Sequence, residues 1–294
     1  MSKTVISAVQ SACYRWGIPF PAAGTLYNNS DPGARQLLHI FYAVCEELRQ
    51  ANCWTQQKKI YTFATTSGRS KYPLPEDYYA PSPFTEWNTS EHNGLIGPLP
   101  DSDFTARLYG GIGSNFNFEY RFFGSDSNPN TAGGQFNIYP TPTSAITCSI
   151  EYMTRNLLLP KNWLPSTVYV IGIYTNANGN IYLCDTNGTS HASTAPSAVT
   201  ADIIDGTTRW DYVSAPYETL LADTDICLFD DDLIKLGLRA KWRDEKGEEA
   251  AAAEKEYKSK INKAVARLEG SAIGSFSRIG TERRRYNLPY GGWI

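Results

Sequence analysis

The sequence predicts an α+β fold: a helical bundle built from N- and C-terminal helices plus an antiparallel β domain, with an inserted small β module and an extended C-terminal arm. Two observations predict it. Helical periodicity with one apolar face occurs near the two ends of the chain, in regions 1–53 and 216–270. Region 54–160 instead carries short β-branched and aromatic runs separated by Asn, Asp, Gly and Pro. Helices that each have one apolar face most simply bury those faces against one another.

Two helices are predicted in region 1–53. The first spans residues 2–16 and ends at Gly17. The second begins with Asp31 as its N-cap and a proline at the first helical position, and it continues to about Gln50. Its apolar stripe supplies residues that we expect to pack the bundle or ring, namely Leu37, Phe41, Val44 and Leu48.

An antiparallel sheet is predicted in region 54–160, where helical periodicity is lost. The expected strands lie at 59–66, 71–75, 116–123, 135–139 and 145–152. Region 161–215 differs again, because turn residues recur every few positions and charged residues are few. We therefore expect an inserted β module of roughly 50 residues, near the lower size limit for a self-supporting core.

The C-terminal helices are expected in region 216–270, beginning at Asp230 and interrupted at Gly247. Asp230 has the side chain of a good N-cap, and two further aspartates supply negative charge in the first turn. Apolar residues recur on one face at helical spacing. Those expected to pack the bundle or ring are Ile234, Leu238, Trp242, Tyr257, Ile261 and Leu268.

The opposite face of these helices is expected to contact solvent. Glu254 precedes Lys258, and Glu256 precedes Lys260, at the i,i+4 spacing that stabilises a helix by a few tenths of a kcal/mol per pair. Gly270 suits a left-handed C-cap. The last helix is therefore predicted to end there.

Region 271–294 is predicted to be an extended arm, because it has little helical or strand periodicity and too few apolar residues for a core. Its arginines and aromatic residues are types that commonly anchor protein interfaces. The expected docking residues are Arg283, Arg284, Arg285, Tyr286, Leu288, Tyr290 and Trp293.

The composition is typical of a globular protein made and kept in the cytosol. The 294 residues are 41% hydrophobic and 19% charged, which is enough for a substantial core. Apolar runs are shorter than the roughly 18 residues of a membrane-spanning helix. Six cysteines without a C-x-x-C pair predict reduced thiols and no zinc site. A net charge of -3 does not provide the basic face of a tight nucleic-acid binder.

No catalytic residue, cofactor or metal ligand is predicted. The chain has three histidines and lacks the motifs of zinc proteases, α/β-hydrolases, P-loop proteins and dinucleotide-binding proteins. An enzyme acting on cell-wall sugar is a weaker hypothesis, since spacing selects no catalytic pair among Glu86, Glu91, Asp101, Asp103 and Glu119. We therefore expect a non-enzymatic protein.

Three segments stand out together and in order: Tyr72–Tyr78, Phe136–Pro142 leading into Ile150–Arg155, and Leu236–Gly247. Together they resemble the head-to-tail adaptor, or tail accessory, proteins of short-tailed bacteriophages. The resemblance covers most of residues 1–160 and 216–294.

This resemblance implies a structural virion protein at the head-to-tail junction, made in the host cytoplasm. A homo-oligomeric ring, usually of twelve copies, would lie between the portal protein and the tail nozzle or tube proteins. DNA would pass through the lumen without sequence-specific binding, and no membrane would be involved. Helical residues 35–50 and 233–268 would pack the ring, and residues 283–294 would reach the portal.

A second hypothesis is a glycan-binding tail or surface component. The inserted module resembles the small β module of some carbohydrate-binding domains and phage structural proteins. Its aromatic residues could stack on sugar rings, namely Trp163, Tyr169, Tyr182 and Trp210. They could also form the core, and we favour that structural interpretation because so small a fold must bury most of its large side chains.

Overall fold

The structure is a computed structural model that describes residues 4–52, 54–82, 85–110, 117–124 and 134–268. Helices and antiparallel sheets are both present, so the predicted α+β class is confirmed. The described chain divides into two compact units. The first comprises residues 4–52 and 156–264, and the second comprises the described residues of 54–155 together with 265–268.

The described residues form five α-helices: α1 (Val5–Trp16), α2 (Pro32–Ala51), α3 (Asp101–Gly110), α4 (Asp231–Glu245) and α5 (residues 251–268). Helix α3 lies in the second unit and was not predicted. Its only buried residue is Phe104, so its apolar periodicity is weak. Asp101 and Asp103 in its first turn and Arg107 in its last turn are the helix signals that the sequence did offer.

Capping side chains fix where the helices of the first unit begin. Thr4 accepts a hydrogen bond from a first-turn N–H of α1, so this helix begins later than the predicted residue 2. Asp31 and Asp230 cap α2 and α4 in the same way, as predicted. Gly17 ends α1 in the left-handed conformation, with a φ of 68°.

Helix α4 packs against both α1 and α2, so helices from the two ends of the chain share one core. Their predicted apolar stripes face inward. The helices α2, α4 and α5 pack closely at Gly237, which faces Val44 and Tyr257.

The described residues of the second unit form eight short strands: β1 (Lys58–Ala64), β2 (Lys71–Pro73), β3 (Tyr78–Pro81), β4 (Trp87–Asn88), β5 (Asn93–Gly94), β6 (Glu119–Phe123), β7 (Gln135–Tyr139) and β8 (Thr147–Thr154). A five-stranded sheet has the order β1-β8-β4-β5, with β3 also paired to β8. A three-stranded sheet has the order β2-β7-β6. All named pairs are antiparallel, as the sequence predicted.

Aromatic rings fill the core of the second unit. Phe136 lies at its centre, with ring centroids 4.9 Å from Tyr120, 5.4 Å from Phe122 and 5.7 Å from Phe63. Stacked and edge-on contacts at these separations stabilise beyond the burial of area alone. The high aromatic content of the chain is thus used here for packing.

The inserted module contributes six strands: β10 (Val168–Tyr169), β11 (Tyr174–Ala177), β12 (Asn180–Thr186), β13 (Gly188–Thr189), β14 (Ile203–Asp205) and β15 (Thr208–Val213). Four of them form an antiparallel sheet in the order β11-β12-β15-β14. The chain on either side of the module pairs as β9 (Leu158–Leu159) with β16 (Ile226–Cys227). The module therefore leaves and rejoins the helical part of its unit at neighbouring points.

The ion pairs of α5 agree only in part with the prediction. Glu254 pairs with Lys258 at 2.6 Å, as predicted. The prediction for Glu256 and Lys260 is wrong, because Glu256 pairs with Arg239 of α4 at 2.8 Å and Lys260 is nearest to Asp232 at 3.4 Å. Contacts between α4 and α5 thus replace a contact within α5. The predicted C-cap at Gly270 lies outside the described residues.

Candidate functional site

The residues predicted to pack the bundle or ring are buried within the chain itself. Nine of them are at most 9% exposed: Leu37, Phe41, Val44, Leu48, Ile234, Leu238, Trp242, Tyr257 and Ile261. The tenth, Leu268, is half-buried. Side chains so enclosed cannot also contact a second copy. Any surface that joins copies must be built from other residues.

The aromatic residues proposed as glycan contacts lie mainly in the core of the module. Trp210 and Tyr182 are 0% exposed and Tyr169 is 8% exposed. Tyr169 packs edge-on against Trp210, with ring centroids 4.9 Å apart. Trp163 is half-buried. The buried rings offer no face on which a sugar could stack, which favours the structural interpretation of this module.

A buried carboxylate holds two of these indoles in place. Asp205 Oδ2 accepts hydrogen bonds from Trp163 Nε1 at 2.7 Å and from Trp210 Nε1 at 2.9 Å. Its Oδ1 atom accepts one from the backbone N–H of His191 at 2.8 Å. Asp205 is 3% exposed, so these bonds compensate for the cost of burying its charge. The carboxylate therefore fixes the positions of the Trp163 and Trp210 indole rings in the module.

The module carries an exposed apolar surface that sequence reasoning missed. We define the module apolar surface as five aliphatic side chains, each between 43% and 72% exposed: Leu164, Val168, Val170, Ile171 and Ile173. No charged residue occurs from Asn162 to Cys184, and this was the available signal. Contiguous exposed aliphatic groups commonly mark a docking surface.

A cavity of about 350 Å³ adjoins the module apolar surface. Its walls include Leu164, Val168, Tyr174, Tyr217 and Asp225. Asp225 is 1% exposed and accepts hydrogen bonds from Tyr217 Oη and from two backbone N–H groups, at 2.9 to 3.0 Å. Burial raises the pKa of Asp225 and of Tyr217. Because these bonds close a loop of its own chain, the carboxylate serves to shape the cavity wall.

A charged groove of about 290 Å³ lies between the end of α1 and the helices α4 and α5. We call it the basic groove. Its charged and aromatic lining residues are Arg15, Trp16, Asp232, Lys235, Glu256, Lys260 and Lys263. The Trp16 ring is approached by two guanidinium groups, with Arg15 Cζ 5.2 Å and Arg239 Cζ 5.6 Å from its centroid.

Several cations of the basic groove are already paired. Lys235 contacts Asp231 at 2.5 Å and Lys260 approaches Asp232 at 3.4 Å. Within the part of the chain that the structure describes, Arg15 and Lys263 have no acidic partner at ion-pair distance, and both are exposed. These two cations could therefore contact a negatively charged group that enters the groove.

Three titratable groups of the second unit lie close together: Tyr78, Glu86 and Tyr120. In the second unit, Glu86 is 4% exposed, and burial raises its pKa. Burial also raises the pKa of Tyr78 and of Tyr120, with a smaller contribution from the negative charge of Glu86. Among residues 4–52, 54–82, 85–110, 117–124 and 134–268, no group of three or more His, Cys, Asp or Glu could hold a metal ion.

The docking arm predicted at Arg283, Arg284, Arg285, Tyr286, Leu288, Tyr290 and Trp293 lies outside the described residues. Among the described helices, none is long and apolar enough to cross a membrane. No protein-family model matches the sequence, and no curated protein is similar enough to count as a relative.

Proposed function

We propose that this chain is a structural virion protein, a ring-forming adaptor that connects the portal of a viral head to the tail and lets DNA pass. The single observation that carries the proposal is the packing of α4 against α1 and α2. This packing joins helices of both chain ends in one bundle, and nine of the ten residues predicted to pack the bundle or ring are buried. We assign the apolar and aromatic residues of the predicted arm to an interface with another protein, because these residue types commonly anchor interfaces.

Two surface features support an assembly role. The module apolar surface exposes five large aliphatic side chains within ten residues. A protein that acts alone seldom keeps such a surface in water. The net charge of -3 also suits a channel along which DNA slides, since few basic groups are available to hold phosphates.

Deletion of residues 280–294 tests the proposal. The shortened chain should keep the far-ultraviolet circular dichroism and unfolding midpoint of the full chain, but it should no longer bind the portal protein from the same viral genome. Binding would be measured by co-sedimentation. A shortened chain that binds the portal as tightly as the full chain would contradict the assigned arm.

Point variants give this test a matched comparison. Trp293→Ala should weaken portal binding at least tenfold, because large aromatic anchors dominate interface energies. Tyr109→Ala removes an aromatic side chain that is 83% exposed on α3, outside the arm, and should leave binding unchanged. Equal losses in both variants would show that the effect is not specific to the arm.

A further inference from the structure

The hairpin formed by α4 and α5 carries opposite charges at its two ends. The basic groove lies at the end where α4 begins. At the other end, four acidic residues are exposed in and beside the turn that joins the helices: Asp244, Glu245, Glu248 and Glu249. We call these four residues the acidic tip. The same hairpin therefore presents a basic surface and an acidic surface.

The two surfaces have net charges of equal size and opposite sign. Five basic and three acidic side chains in and around the basic groove leave a net charge of +2: Arg15, Lys235, Arg239, Lys260 and Lys263 against Asp231, Asp232 and Glu256. Residues 243–249 contain four acidic and two basic side chains, a net charge of -2. Such complementarity is what orients two proteins as they associate.

The acidic tip cannot reach the basic groove of its own subunit. Asp232 and Asp244 lie twelve residues apart on α4, which corresponds to about 18 Å along a helix axis. The ion pairs of Arg239 with Glu256 and of Lys260 with Asp232 hold α5 antiparallel to α4, so the turn stays at the far end. The partner of the tip must therefore belong to another molecule.

We propose that the acidic tip of one copy docks in the basic groove of the next copy. Arg15 and Lys263 would receive the carboxylates, since neither is engaged by an acidic residue of the described chain. The contact joins two different surfaces, so it is head-to-tail, and head-to-tail contacts close into rings when the rotation between copies permits. This inference rests on the proposed ring-forming function and identifies the surfaces that would join its subunits.

Two charge-reversal variants test the contact. The groove variant is Arg15→Glu with Lys263→Glu, and the tip variant is Asp244→Lys with Glu249→Lys. None of these four residues forms an ion pair in the described structure, and the contact of Arg15 with the Trp16 ring is at an exposed position, so the changes should lower the unfolding midpoint only slightly. Should a reversal unfold the chain, Arg15→Gln with Lys263→Gln tests the same groove by neutralisation.

Sedimentation velocity of the full chain at high concentration provides the measurement, at about 0.05 M and about 0.5 M salt. Wild-type protein should associate at low salt and dissociate at high salt. Each variant alone should associate at least tenfold more weakly. An equal mixture of the two should recover association, because an acidic groove then meets a basic tip and a basic groove meets an acidic tip.

Three results would overturn the inference: wild-type protein that stays monomeric at low salt, a variant that associates as well as wild type, or a mixture that fails to recover association. These results are separate from the test of the adaptor function. Loss of portal binding by the full chain would contradict the adaptor function, whereas the charge-reversal measurement uses no portal.

Discussion

Gly237 of α4 approaches Val44 of α2 so closely that a Cβ atom at position 237 would lie 2.5 Å from Val44 Cγ1. The same atom would lie 3.1 Å from Cζ of Tyr257 on α5. A glycine is therefore required where three helices from the two ends of the chain converge. Periodicity marks the apolar stripe of α4, but it does not reveal this requirement.

Gly237→Ala should destabilise the protein. Alanine improves helix propensity by about 1 kcal/mol, whereas overpacking a tight core costs about 1–3 kcal/mol. Val44 is β-branched and cannot swing aside easily, so we expect a net loss of about 1 kcal/mol in the free energy of unfolding, measured in urea. Gly124→Ala, in open space, should cost nothing. A more stable Gly237→Ala variant would contradict the packing at this position.

Asp205→Asn should destabilise the module by about 1–3 kcal/mol, because an amide has one accepting oxygen where the carboxylate has two. If the amide oxygen accepts both indole N–H bonds, its NH2 group faces the backbone N–H of His191 and leaves that donor without a partner. Thermal unfolding followed by tryptophan fluorescence measures this. The control is Asp202→Asn, which removes an exposed ion pair with Arg209 and should change stability by less than about 1 kcal/mol. Equal effects of the two substitutions would show that the hydrogen bonds of Asp205 do not stabilise the module.

Glu86→Gln should change how stability depends on pH. Burial raises the pKa of Glu86, so the folded protein holds a proton that the unfolded chain releases. Its contribution to the free energy of unfolding is full below the unfolded pKa of about 4.3 and is lost as pH rises through the raised folded pKa. The variant should therefore lack this decrease and be more stable than wild type near neutral pH.

Urea unfolding between about pH 4 and pH 8, expressed as variant minus wild type, measures the contribution of Glu86. Glu249→Gln, at an exposed position of the acidic tip, controls for the loss of one negative charge. If wild type and Glu86→Gln show the same pH dependence throughout, burial of the Glu86 carboxyl does not control stability.

Val168→Ser combined with Ile171→Ser should reduce the binding of the dye ANS while the unfolding midpoint stays the same, because both side chains are more than half exposed. Ile181→Ser is the matched change in the module core, where the side chain is 3% exposed, and it should lower the midpoint. Unchanged dye binding in the double variant would show that the module apolar surface is not accessible.

Local signals were enough for much of the fold. Asp31 followed by a proline and an unbroken apolar stripe predicted α2, and the alternating run at Gln135–Tyr139 coincides with β7. Helix α3 was not predicted, because its single buried side chain, Phe104, gives no periodicity. Helices with a broad buried face, such as α2, can thus be predicted from local periodicity, whereas a helix that buries a single side chain, such as α3, cannot.

The interaction surfaces were harder to predict than the core. The basic groove combines Arg15 with Lys263, which are far apart in the sequence and meet only after α1, α4 and α5 have packed. Of the stretch 164–173 that carries the module apolar surface, only Val168 and Tyr169 form a strand. Which apolar side chains remain exposed depends on tertiary contacts that a local pattern does not encode.

Electron microscopy of the full chain, mixed with the portal protein that the proposal makes its partner, tests the proposed adaptor function most directly. We predict a closed ring of this chain stacked coaxially on the portal, with the acidic tip of each copy against the basic groove of its neighbour. Portal particles that remain bare, at a concentration where the chain is folded and in excess, would contradict the account.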